Sequence, residues 1–288
     1  MPNLPTHKRR NFLRNLGVGL TATLLTPHVH LQAADSAGDL RGAFKVADDP
    51  LDEKYWEMVK KQFRIAEDKL IVNAANLCPS PHFIYEKVNQ YTNALARDVS
   101  FQNRAVFAKM REEALMMLAE YLGASKAEVA ITRNTSESNN IIVNGIDFKP
   151  TDEVILWEQN HPTNLIAWKN RARREGFKVK VIAVPEQPSS PEELVQVFTK
   201  AETSNTRLIA FSHISNVSGL ALPAKDICSM ARARGILTLV DGAQSFGFLD
   251  LDLKEMGCSF YSGSAHKWLM GPLENGVLYV DEAHQATI

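Results

Sequence analysis

Cysteine is scarce and unpatterned. Cys78, Cys228 and Cys258 are three in 288 residues, and no two of them form a CxxC pair. An odd, sparse set excludes a disulfide framework and a thiolate zinc site, so each reads as a small buried hydrophobe and not as a nucleophile. An excess of charge of one sign is missing too: 32 Lys and Arg stand against 33 Asp and Glu, a formal net charge of −1. With both signs spread along the chain, neither nucleic acid nor an anionic membrane surface is indicated as a partner. The apolar run from Leu16 to Leu25 is too short to span a bilayer, and no span is expected in the mature protein. No repeat or low-complexity segment appears. A glycine fingerprint after a strand is also lacking. Gly17-Val18-Gly19-Leu20-Thr21-Ala22 fits G-x-G-x-x-A, but no strand precedes it and no acidic residue follows at the spacing of a βαβ unit. That argues against a Rossmann-type dehydrogenase.

What is present is ample apolar material, 45% of the chain, enough for a sizeable core. The N-terminus has the order of an export signal over residues 1–34. A basic cluster, Lys8 to Arg14, precedes the apolar run, and the small pair Ala33-Ala34 follows it. Arg9-Arg10 followed by Phe12-Leu13 resembles the twin-arginine type. A periplasmic or otherwise exported location is therefore expected, or a cytoplasmic one if the signal does not function. Export in the folded state suits a protein that loads a cofactor first. Residues 35–75 read as a linker and an N-terminal helical segment, and 76–288 as the main domain.

Apolar positions recur at helical spacing between Pro50 and Asp68, over about 82–96, and over 104–122, where Gly123 is a plausible stop. From Val129 onward, short β-branched runs alternate with helical patterns. Strands are expected at 129–131, 153–157, 179–184, 208–211, 236–240, 260–261 and 276–280. Helices are expected at about 136–145, 163–175, 191–203 and 223–234. Such alternation predicts an α/β fold with a mainly parallel sheet flanked by helices. Ligands of such sheets sit beyond the carboxyl ends of the strands, so the polar residues following each strand are the candidates.

Each candidate has two readings. After 129–131 come Thr132-Arg133-Asn134-Thr135-Ser136-Glu137. Ser136 could cap the helix, or the hydroxyls and helix N-terminus could seat a phosphate. His161, after 153–157, could be structural or lie flat on an aromatic ligand ring. Asn216 could be an ordinary turn residue or donate to a phenolic oxygen. Asp241 ends a buried strand, which is costly for a carboxylate without a cationic partner. Lys267 could be a snorkelling surface lysine or, where desolvated, a free amine able to attack a carbonyl carbon. Together these residues supply what pyridoxal phosphate needs: an amine for its aldehyde, a carboxylate for its ring nitrogen, and a seat for its phosphate.

Three stretches carry a resemblance to the class V aminotransferase family, the pyridoxal-phosphate enzymes of fold type I. They are residues 132–137, Ser215 to Ser245, and Ser264-Ala265-His266-Lys267-Trp268-Leu269-Met270-Gly271-Pro272. The resemblance runs from about Asn73 to Val280. It implies that Lys267 is the Schiff-base lysine, that Asp241 pairs with the pyridine nitrogen, and that His161 stacks on the ring. It further implies that Asn216 and Gln244 contact the phenolic oxygen, and that Thr135, Ser136, Ser264 and His266 hold the phosphate. A small amino substrate and a homodimer follow by the same resemblance. Two departures stand out. The family pattern Gly-Pro-x-Gly-x-Gly reads here as Gly271-Pro272-Leu273-Glu274-Asn275-Gly276. The C-terminal small domain of the family, with its carboxylate-binding arginine, is expected to be absent. The expected activity is that of an aminotransferase or an isopenicillin N epimerase-like enzyme. The alternatives are a truncated, inactive cofactor-binding fragment and a cysteine desulfurase or lyase.

Overall fold

The computed structural model describes residues 52–288. The expected export signal and most of the linker lie outside the described residues. The described residues divide into two compact units, one comprising 52–72 and Pro79–Met117, the other Asn73–Cys78 and Leu118–Ile288. The first holds α1 (Glu53–Lys60), α2 (His82–Arg97) and most of α3 (Phe101–Tyr121). In α2 and α3, Tyr91 and Phe107 meet edge to face at 5.8 Å.

The second unit carries one seven-stranded sheet. Its strands are β1 (Val129–Thr132), β2 (Glu153–Trp157), β3 (Lys178–Ile182), β4 (Thr206–Ser212), β5 (Leu237–Asp241), β6 (Phe260–Ser264) and β7 (Gly276–Val280), in the spatial order β1-β7-β6-β5-β4-β2-β3. Every neighbouring pair from β6 through β3 is parallel, while β7 runs antiparallel between β1 and β6. The central strands are near-continuous apolar runs because both faces are covered. Helices α4 (Thr135–Gly145), α5 (Pro162–Glu175), α6 (Pro191–Ala201) and α7 (Ala224–Arg232) follow strands in turn. Ile142, Val143, Trp168, Val154, Leu156, Leu208, Leu239 and Phe260 form one buried cluster. Each such side chain contributes roughly 1.5–3 kcal/mol of burial free energy. The mainly parallel α/β sheet is the architecture expected from the sequence.

Local signals explain most element ends. Gly123, at φ 64°, closes α3, and Gly176, at φ 87°, closes α5. Both take the left-handed conformation that glycine adopts without penalty. The residue capping α4 is Asn134, whose side chain accepts from Glu137 N at 2.9 Å. Ser136, read as a candidate cap, lies inside the first turn, because Asn134 already fills that role. Helix α1 is shorter than the pattern over 50–68: Gln62 N donates to Val59 O and Phe63 N to Lys60 O, tightening and ending the last turn. A short helix unanticipated from sequence, α8 (Leu253–Met256), is capped by Asp252 and stopped by Gly257 at φ 69°.

The register sets up the site. Ser212, Asp241 and Ser262 lie side by side across β4, β5 and β6. The carboxyl ends of the parallel strands thus deliver polar residues to one sheet edge, as the topology of such folds requires.

Candidate active site

Asp241 is 3% exposed, and each oxygen of its carboxylate accepts one hydrogen bond. Oδ2 accepts from Asn139 Nδ2 at 2.9 Å, and Oδ1 accepts from Ala243 N at 3.1 Å. Asn139 is itself held: its Oδ1 accepts from Ser262 Oγ at 2.7 Å. A buried carboxylate with a donor on each oxygen is the arrangement that keeps charge tolerable away from water. Gly242, next in the chain, has no room for a side chain, since a Cβ there would stand 2.0 Å from the Tyr261 ring. The backbone at Gly242 therefore packs directly against the Tyr261 ring.

Lys267 lies on the turn after β6. That turn is closed by Met270 N donating to Lys267 O at 2.9 Å, and tied to its own base by Gly271 N donating to Ala265 O at 2.7 Å. Burial pulls the ammonium pKa of Lys267 below its usual value, and the charge of Asp241 pulls the opposite way. His161 feels both groups. Burial lowers its pKa, the carboxylate of Asp241 raises it and Lys267 lowers it again. Its Nδ1 lies 2.8 Å from Thr163 Oγ1 and accepts from Thr163 N at 3.3 Å, so the ring caps α5 while standing near Asp241 and Lys267. The structural and ligand-facing readings of this histidine are compatible.

The hydroxyl seat is assembled from α4 and β6. Ser264 Oγ lies 2.7 Å from Thr135 Oγ1 and accepts from Thr135 N at 2.9 Å. Ser136 Oγ lies 3.2 Å from Thr163 Oγ1. The buried Nδ1 of His266 has no hydrogen-bond partner, a polar atom left over at this end of the sheet. Beside it, Glu274 takes the position where the resemblance puts a glycine, and it keeps the glycine conformation, φ 58°. Gly276 has to be glycine, because a Cβ would meet Asn134 Cα at 2.7 Å. Relieving a left-handed side chain is worth on the order of 1 kcal/mol. The Glu274→Gly variant is expected to unfold at higher urea by about that amount, measured by denaturant titration.

Gln244 is already occupied. Its Nε2 donates to Ala75 O at 2.8 Å and its Oε1 accepts from Trp268 Nε1 at 2.7 Å. A second backbone tie, Cys78 N to His266 O at 3.0 Å, holds the segment Asn73–Cys78 beside the lysine turn. One Nε2 hydrogen of Gln244 is left for a ligand. Asn216 is exposed, on a loop after β4 that is clipped by Gln159, whose Oε1 accepts from Ser215 Oγ at 2.6 Å and Ser218 Oγ at 2.7 Å. His213, at the start of that loop, donates its backbone N–H to Asp241 O at 2.9 Å. Burial pushes its ring pKa down to about 4, so it is neutral at physiological pH. The structure therefore brings Lys267, Asp241 and His161 within electrostatic reach of one another, and joins Thr135 to Ser264.

The family profile "Aminotransferase class-V" matches residues 77–288. The chain belongs to the class V aminotransferase family. It is 34% identical over 226 residues to the isopenicillin N epimerase of Streptomyces clavuligerus, covering 78% of this chain and 56% of that protein. It is 30% identical over 230 residues to a probable cysteine desulfurase of Methanothermobacter thermautotrophicus, covering 77% of this chain and 56% of that one. Among solved structures, the cysteine desulfurase CsdA of Escherichia coli superposes with a TM-score of 0.68 at 27% identity, over 78% of this chain and 57% of that chain. The chain thus spans about 56% of the length of these curated relatives.

The cofactor of this family is pyridoxal 5'-phosphate, and the residues present fit it. The donor set is right: a partly desolvated lysine, a buried carboxylate with a donor on each oxygen, and a hydroxyl pair at a helix N-terminus, with the orphaned His266 Nδ1 close by in sequence. Among the described residues no group of three or more His, Cys, Asp or Glu could hold a metal ion, and no helix is long and apolar enough to cross a membrane. Sequence reasoning missed Asn139, Ser262 and Trp268. A signal for Asn139 did exist. It lies one turn after Thr135 on the buried face of a helix that also carries Ser138, Ile142 and Val143.

Proposed function

We propose that this chain is a pyridoxal-phosphate-dependent enzyme acting at the α-carbon of an amino acid or amine, as an aminotransferase or isopenicillin N epimerase-like enzyme. One observation carries the reading: Lys267, lowered in basicity by burial, feels the charge of a buried Asp241 that is braced by Asn139 and Ala243. Pyridoxal phosphate, when bound, supplies an electron-accepting ring that takes up charge released at the substrate. Lys267 would hold the cofactor through Nζ and serve as the general base at the α-carbon. Asp241 would answer the ring nitrogen with its negative charge, and His161 would stack on the ring. Thr135, Ser136, Ser264 and His266 would hold the phosphate, and Asn216 with the remaining Nε2 hydrogen of Gln244 would meet the phenolic oxygen. A homodimer, and export through a twin-arginine signal, belong to the same proposal.

Cysteine chemistry supports this reading over a desulfurase within these residues. A desulfurase needs a thiolate nucleophile. Cys228 and Cys258 are each 1% exposed. Burial pushes the thiol of Cys228 up to about 12 and that of Cys258 well above its ordinary range. Cys78 is also raised by burial.

The test is α-proton exchange. The full chain, loaded with cofactor, is incubated in D2O with a panel of amino acids and followed by proton NMR. Exchange of at least one α-proton, about a hundredfold or more above the cofactor-only background, is expected. Such a step is what a positioned general base contributes at the low end of its usual 10²–10⁴-fold range. Cofactor bound without exchange of any substrate would replace this reading with that of a binding fragment.

A further inference from the structure

We infer that Asn139 is a positioning residue that sets the orientation of Asp241 and, through it, the protonation of the cofactor's ring nitrogen. The inference rests on pyridoxal phosphate being the ligand of this site. Three elements meet here: Asn139 from α4, Asp241 from β5 and Ser262 from β6, at 1%, 3% and 0% exposure. An amide and a hydroxyl at such depth are costly unless every polar atom serves a partner. Of the other inward positions of α4, Ile142 and Val143 are apolar, while the polar Ser138 has partners of its own, its Oγ lying 2.7 Å from Thr132 Oγ1 and donating to Val277 O at 3.1 Å. Asn139 is polar because of what it faces.

The direction of the relay is fixed by charge. Asn139 Nδ2 donates to Asp241 Oδ2, and Asn139 Oδ1 accepts from Ser262 Oγ. A flipped amide would set its carbonyl oxygen against the carboxylate, acceptor against acceptor. Ser262 holds the productive orientation by offering its hydroxyl hydrogen to the carbonyl side. With Ala243 N on Oδ1, the carboxylate is held by one donor on each oxygen, which opposes rotation about its Cβ–Cγ bond. Each oxygen retains one lone-pair direction for a cationic N–H. Lys267 and His161 both sense the carboxylate's charge, which places both groups within its electrostatic field. Without Asn139, Asp241 would lose a charge-assisted hydrogen bond and its fixed plane together.

The test uses the full chain loaded with cofactor and compares Asn139→Ala, Ser262→Ala and the double variant. The absorption maximum of lysine-bound cofactor depends on whether the ring nitrogen carries a proton, which a purely structural role would leave unchanged. Asn139→Ala is expected to move the maximum toward that of Asp241→Asn and to weaken cofactor binding by about tenfold, from loss of one hydrogen bond to a charged group. Ser262→Ala should shift the maximum in the same direction, less far. The double variant should be no worse than Asn139→Ala alone, because the serine acts through the asparagine. Wild-type absorption in both single variants, with only a lowered melting temperature of cofactor-free protein, would overturn the inference and leave Asn139 a core residue. Wild-type protein with no cofactor absorbance dependent on Lys267 would instead overturn the cofactor reading itself. If Asn139→Ala does not fold, the milder Ser262→Ala decides.

Discussion

The Lys267→Ala variant is expected to lose covalent cofactor attachment altogether. Any α-proton exchange should fall by about 10²–10⁴-fold, the usual contribution of a positioned acid–base group. The argument begins with the lysine's surroundings. It stands on a turn that closes on itself through Met270 N and Gly271 N. Removing the side chain beyond Cβ therefore leaves these backbone bonds in place, and fold stability should change little. Lys267→Arg sharpens the point. It keeps the positive charge that answers Asp241 but cannot offer a free amine, because a guanidinium does not deprotonate in proteins. Both variants should bind cofactor without attachment, and neither should exchange the α-proton. A Lys267→Arg protein with wild-type exchange would separate the lysine from the chemistry.

Removing the charge of Asp241 is the second large effect, and two replacements divide its causes. Asp241→Asn keeps the size of the side chain, and its oxygen can still accept one of the two existing bonds. Its charge is gone. Exchange should fall by about 10²–10³-fold, the scale of losing one preorganised electrostatic group at a reacting centre. The pH dependence should move as well. Asp241 raises the proton affinity of Lys267 while burial lowers it. Taking away the carboxylate leaves burial unopposed, so the lysine becomes a free amine at lower pH, and the pH profile of cofactor attachment should shift toward acid. Asp241→Ala goes further. The buried Asn139 amide and Ala243 N–H lose their acceptor, at about 1–3 kcal/mol for each buried group left unpaired. Asp241→Ala should therefore be clearly less stable than wild type by denaturant titration, and Asp241→Asn only mildly so. Equal stability of all three would contradict the bracing geometry.

Much of this was legible in the chain because it rests on local signals. The alternation of β-branched runs with helical patterns fixed the parallel sheet. Apolar strands ending in Asp241, and a Gly-Pro turn after Lys267, marked the site. Asn139 was not legible in the same way: its partner Asp241 lies 102 positions away, and only the packing of α4 on β5 brings them together. Nearby serines and asparagines were open to a capping reading, and capping depends on which residue has the non-helical backbone, here Asn134. The family resemblance implies that Gln244 contacts the cofactor's phenolic oxygen. Its two bonds, to Ala75 and Trp268, come from a strap 169 positions upstream and from the lysine turn. The short apolar run Leu70-Ile71-Val72 joins no strand pair among the described residues, and is 86%, 45% and 84% exposed. A strand needs a partner to satisfy its backbone. The left-handed Glu274 also escapes any propensity rule, since the shape of the loop is imposed by the closeness of Gly276 to Asn134.

The most direct measurement is chemical trapping of the lysine. Cofactor-loaded wild-type protein is reduced with borohydride, digested, and the peptides mapped by mass spectrometry. The account predicts a single added pyridoxyl phosphate group on the peptide containing Lys267, absent from Lys267→Arg. Labelling of a different lysine in wild type, or none at saturating cofactor, would contradict it.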